Sequence, residues 1–108
     1  MAATVSNGFM LFGQQFPETA KAHMGFVQTA GIESALDEKT RHLAYLAVLS
    51  AAGLTGGIAF HVQMAQQAGA SRDEIVSACL VGMPAVGLQV LDGFAVASAS
   101  LESSPPDA

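Results

Sequence analysis

No Asp, Glu, Lys or Arg occurs between Arg41 and Arg72, and none between Glu74 and Asp92. Stretches this long without charge must cover their apolar side chains against each other, a partner or lipid. Their spacing says how. His42, Tyr45, Leu46 and Leu49 fall at i, i+3, i+4 and i+7, one face of a helix, and Ile58, His61, Met64, Ala65 and Ala68 repeat the pattern. Nothing alternates with period two, alanine is abundant, and no Asn-Gly or Asp-Gly turn joins two alternating runs. The chain is read as all-α: a small helical subunit of five to six helices around a central antiparallel helix hairpin.

At 108 residues this is one domain, taken as residues 1–102, with Ser103 to Ala108 and its two prolines as a disordered tail. Charged residues make up 12% of the chain and hydrophobic ones 51%, against about 25% charged in an average domain. So small a subunit cannot hide that much apolar surface alone, so a homo-oligomer is expected. The rival is a membrane. His42 to Phe60 is long enough to span one, but Gly53, Gly56 and Gly57 interrupt it and Gln63, Gln66 and Gln67 follow, so no membrane association is expected. The N-terminal apolar run has no basic residue before it and does not read as a signal peptide, which leaves the cytoplasm. A net charge of −5 with four Lys and Arg in all argues against nucleic acid as a partner. A single cysteine, Cys79, excludes an intrachain disulfide.

In order, residues 1–8 read as frayed, and Phe9 to Phe16 as a short helical turn packing Phe9, Phe12 and Phe16 inward. Pro17 starts a helix to about Ala30, with Ala20, Met24 and Val27 on one stripe, His23 beside it and Gly31 as its stop. Asp37 caps the next helix, to Ala52. Gly69 ends the one after it, and Ser71-Arg72-Asp73-Glu74 is a capping box for a helix that turns Ile75, Cys79 and Leu80 inward. Pro84 begins a last helix that ends near Leu101.

The corner between the two central helices, Gly53-Leu54-Thr55-Gly56-Gly57-Ile58-Ala59-Phe60-His61, carries the most chemistry. Thr55 reads as an N-cap with Gly56, Gly57 and Ile58 in the first turn, a place where free N–H groups attract anions. Helical side chains lean toward the N-terminus, so His61 should lie over Gly57, leaving a small space beside an imidazole. The plainer alternative is a packed corner in which the glycines only permit close approach and His61 is a core residue.

With this helix order, Leu36 to Gly87 resembles the carboxymuconolactone decarboxylase and alkylhydroperoxidase D-like superfamily. The likeness rests on Leu36-Asp37-Glu38-Lys39-Thr40-Arg41 entering a helix, the glycine turn before Ala59-Phe60-His61-Val62, Ala68-Gly69-Ala70-Ser71-Arg72-Asp73-Glu74-Ile75, and Gly82-Met83-Pro84-Ala85. It implies small all-helical subunits assembled as trimers or hexamers. In the peroxidase branch the turn carries Cys-x-x-Cys-x-x-x-His, with a glutamate twelve residues before the first cysteine. Those positions here are Leu54, Gly57, His61 and His42, so only the histidine remains. Thiol peroxidation needs a low-pKa thiolate and a resolving partner, and neither position supplies sulfur. The decarboxylase branch lacks the cysteines and keeps the histidine, and this chain is more similar to that side.

The resemblance implies a reaction on a small carboxylate or lactone. His61 would serve as general acid or base with His42 beside it, the Gly56 and Gly57 N–H groups as an anion site, Arg41 as a carboxylate partner, and Tyr45 at the substrate's edge. Ideal geometry disagrees about His42: in a straight hairpin turning near Leu54, it misses His61 by roughly 8 Å along the axis. Two imidazoles without a carboxylate are a poor metal set, so neither metal nor cofactor is expected. Two readings stand: a cofactor-free lyase or isomerase, or a non-catalytic ligand-binding or structural oligomer with a dismantled redox site.

Overall fold

A computed structural model describes residues 6–102, and all the regular structure among them is helical. Residues 1–5 and the expected tail, 103–108, lie outside the described residues. The helices are α1 (Asn7–Gln15), α2 (Pro17–Glu33), α3 (Glu38–Ala52), α4 (Ile58–Gln67), α5 (Arg72–Leu80), the single turn α6 (Met83–Val86) and α7 (Val90–Glu102).

Local chemistry sets most of the starts. Asp37 Oδ1 accepts the Thr40 N–H at 2.8 Å, and the Ser71–Glu74 box closes in both directions, at 3.0 and 2.8 Å. Pro17 opens α2 as expected. Other boundaries moved. Ser6 caps α1 by accepting the Phe9 N–H, so the helix begins at Asn7, within the stretch expected to fray. Gly31 does not stop α2, which runs on to Glu33, because a glycine at negative φ weakens a helix without ending it. Pro84 opens only α6; Gly87, at φ 83°, lies in the left-handed region and breaks the helix before α7 begins at Val90.

The core lies among α3, α4, α5 and α7, where Leu46, Ile58, Val62, Ile75, Cys79, Val90, Ala97 and Leu101 are all buried. In α4 the buried stripe is Ile58, Val62 and Ala65, rotated from the expected one, so that His61 stands at its edge rather than at its centre. Tyr45, expected to face inward, is 44% exposed. Where α7 crosses α3, the buried Ser50 hydroxyl donates to the Val90 carbonyl at 2.9 Å, and Gly93 packs beside it. Arg72 ties α5 to the end of α7, its guanidinium donating to the Leu101 carbonyl at 2.8 Å.

The stretch Arg72–Glu102 has the length and hydropathy of a membrane span. It is not one rod, since the chain reverses around α6 and both α5 and α7 pack on α3. The phenylalanines of α1 also depart from expectation. Neither α1 nor α2 contains a buried residue, and Phe9 and Phe16 are exposed. The two helices pack mainly on each other, as a hairpin standing off the core.

Candidate active site at the α3–α4 corner

Gly53 is the pivot of the central hairpin. Its φ of 72° gives α3 a left-handed cap, and the Leu54 N–H returns to the Leu49 carbonyl at 2.9 Å. From Thr55 to Gly57 the chain is a 3₁₀ turn, and only then does α4 begin. Thr55 is therefore not the N-cap of α4. Gly57 holds that position with no side-chain cap, and the Ile58 N–H is already bonded to the Thr55 carbonyl. The expected anion site loses one of its three donors in this way.

The same turn brings His42 and His61 together. A pivot at Gly53 rather than Leu54, and a 3₁₀ rise of about 2.0 Å per residue against 1.5 Å, carry His61 further back along α3 than the ideal estimate allowed. His61 comes level with Tyr45, their rings stacked with centroids 4.1 Å apart and planes 20° apart. His42, one turn earlier on α3, has its ring centroid 5.7 Å from that of His61. Phe60 meets His61 edge-on at 5.2 Å.

His61 leans over Gly57 as expected. A Cβ built on Gly57 would sit 3.9 Å from His61 Cδ2 and 3.6 Å from Leu49 Cδ1, so the space beside the imidazole takes a methyl group in ordinary contact. Gly56 faces Ser6, whose Cβ lies 3.7 Å from where a Gly56 Cβ would be. The Arg41 guanidinium lies against Gly31 of α2 and 3.9 Å from the Glu38 carboxylate. Ser6 and Gly31 thus join the rim of the site from the α1–α2 hairpin. Sequence reasoning missed both, because no local pattern says which surface a distant helix end will touch.

Electrostatics keeps both histidines neutral at pH 7. Burial pushes His61 down to about 4, helped by the fields of His42 and Arg41. His42, 6% exposed, is also lowered, first by burial and then by Arg41, with Glu38 opposing. The Nδ1 atoms of both rings are buried and have no hydrogen-bond partner in the protein. An unpartnered buried polar atom costs about 1–3 kcal/mol, so two in one place mark a site shaped for something other than stability. A neutral imidazole offers one donor and one acceptor, which suits binding and moving a proton on a small polar molecule. Among the described residues no group of three or more His, Cys, Asp or Glu could hold a metal ion.

Residues 17–99 match the sequence profile of the Carboxymuconolactone decarboxylase family. The chain belongs to that family. No curated protein and no solved structure matches it. The match is wider than the Leu36 to Gly87 segment read from motifs, taking in α2 and most of α7. Leu54, at the corner, is exposed, and Gly57 caps α4. Cys79 is buried in α5, and burial pushes its thiol up, away from a reactive thiolate.

Proposed function

We propose that the protein is a cofactor-free lyase or isomerase acting on a small carboxylate or lactone, with proton transfer by His61, and that it is not a thiol peroxidase. The observation that carries this reading is the pair of neutral imidazoles with ring centroids 5.7 Å apart and both Nδ1 atoms unpartnered, beside a glycine that leaves a space the size of a methyl group. His61 at about 4 is a weak base. A carboxylate bound next to it would offset the fields of His42 and Arg41 and raise it toward the working pH. His42 would hold the second proton position, Arg41 would attract the substrate's charge, and Tyr45 would wall the pocket. The working form would be an assembly of identical subunits.

The test is turnover of a panel of small unsaturated carboxylates and lactones by the wild type and by His61→Gln. The variant keeps the side chain's size and removes its titration. Loss of turnover by at least about a hundredfold is expected for a general acid–base. Unchanged turnover on a substrate the wild type accepts would refute the role. A second reading is favoured by one observation: three of the four peroxidase-branch positions have changed, to His42, Leu54 and Gly57. On that reading the protein is a binding or structural oligomer, the panel shows no turnover, and His61→Gln alters stability more than any ligand response.

A further inference from the structure

We propose that the site at the α3–α4 corner selects its ligand by charge, taking small monocarboxylates and disfavouring dicarboxylates of the same carbon skeleton. This rests on the reading above for where the ligand lies and adds how much charge it carries. The cations of the chain are few enough to follow one by one, since Lys and Arg number four in all. Lys39 is engaged with α5, its Nζ 2.9 Å from the Glu74 carboxylate. Arg72 donates to the Leu101 carbonyl at 2.8 Å and lies 3.4 Å from Glu102. Lys21 stands ten residues before Gly31 on α2, about 15 Å along the helix at 1.5 Å per residue. Arg41 is left as the cation of the site. Its side chain is 30% exposed, and its one ion-pair partner among the described residues, Glu38, is 3.9 Å away and itself 70% exposed. A largely covered guanidinium with five donors and so loose a partner is matched by an anion.

Every other group around that cation is neutral or negative. His42, next to it in sequence, is 6% exposed with an unpartnered Nδ1, and the Nδ1 of His61 is unpartnered too. Both rings are neutral at pH 7, and a neutral imidazole brings one N–H and no charge. Tyr45 and Phe60 add uncharged rings. Three carboxylates occupy neighbouring positions: Glu33 at the end of α2, Asp37 at the cap of α3 and Glu38 in its first turn. One ligand carboxylate therefore balances Arg41. A second would give up its hydration among neutral rings or face those acids with no cation to offset it. An identical subunit brought to the rim would not change the balance by more than one charge, because Lys21 alone makes no ion pair among the described residues.

The test is binding to the full chain, read from the His61 ring resonances by NMR at neutral pH and fixed ionic strength. The probes share one four-carbon trans skeleton: crotonate, fumarate, monomethyl fumarate and the uncharged crotonamide. Crotonate and monomethyl fumarate should bind at least about tenfold more tightly than fumarate, and the ester, being the larger molecule, separates charge from size. Arg41→Gln should bring the monoanions down to the level of crotonamide. Glu38→Gln should narrow the gap between crotonate and fumarate, and Lys21→Gln should leave it unchanged. Fumarate binding as tightly as crotonate would overturn the proposal, as would a preference that survives Arg41→Gln or vanishes in Lys21→Gln. If Arg41→Gln fails to fold, the wild-type ranking and Glu38→Gln still decide. Anions that bind in the expected order but are not turned over uphold the charge preference and remove the lyase; anions that leave His61 unmoved remove both.

Discussion

Tyr45 and His61 lie eight residues on either side of Gly53, and that symmetry puts one ring flat on the other at 4.1 Å. The stack covers one face of the imidazole and fixes its plane. Tyr45→Ala would let water reach that face, and the burial that lowers His61 would weaken, so its pKa should rise from about 4 toward 6.5. Tyr45→Phe keeps the ring and should leave His61 low. Titration of the His61 ring resonances by NMR reads both, and equal values in Tyr45→Ala and wild type would show that the stack does not control the site.

The same histidines set how stability depends on pH. A histidine whose folded pKa lies below its unfolded value binds fewer protons when folded, so acid favours the unfolded chain. For His61 that contribution is complete above about pH 6.5 and is lost as pH falls through about 4, with His42 acting in the same direction. Allowing for partial exposure, about 1–3 kcal/mol should disappear across that window. Asp37 and Glu74 are also held below their usual values, by hydrogen bonds from backbone N–H groups first, and their contribution goes as pH drops further. Chemical denaturation between pH 7 and 4 should show the decline in the wild type and a flatter profile in His61→Gln. A flat wild-type profile would mean the histidines are not depressed.

What the sequence made legible follows the range of the interactions. Asp37 and the Ser71–Glu74 box are caps, decided within four residues, and both formed as read. The meeting of His42 with His61 depended on one residue's difference in the pivot and on a 3₁₀ turn that no side-chain pattern announces. Small errors at a turn grow along the helices that leave it. The exposure of Phe9 and Phe16 has another cause: an apolar side chain implies a tendency to bury, but no pattern within one helix says what it will pack against. Membership of the family was readable from four short segments whose order mattered more than any one of them.

Gly57 offers a cheap separation of binding from stability. Its backbone, at φ −97° and ψ −5°, is open to any residue, and a methyl group would make only ordinary contacts with Leu49 and His61. Gly57→Ala should leave the stability in urea unfolding unchanged or slightly higher, by up to about 1 kcal/mol, because the unfolded chain loses freedom. It should also abolish binding of a small carboxylate beside His61, seen as loss of the ligand-induced shift of that ring in NMR. Binding that survives the methyl group would place the ligand elsewhere.

Gly93 should behave in the opposite way. It also sits in a helix without positive φ, and by propensity alone Gly93→Ala should stabilise α7 by about 1 kcal/mol. Packing reverses the sign. A Cβ there would stand 2.5 Å from Ser50 Oγ and 2.9 Å from Ile58 Cδ1, where α7 meets α3 and α4. Ser50 cannot swing aside without breaking its buried bond to the Val90 carbonyl, so the helices must separate. Overpacking of this kind costs about 1–3 kcal/mol, more than the propensity gain at its upper end, so net destabilisation is expected in urea unfolding. Ser50→Gly in the same chain removes both the clashing oxygen and its Cβ. The double variant should therefore lose less than the two single changes added together, a coupling that distant sites would not show. Additive losses would mean that the close approach of α7 to α3 does not limit the packing there.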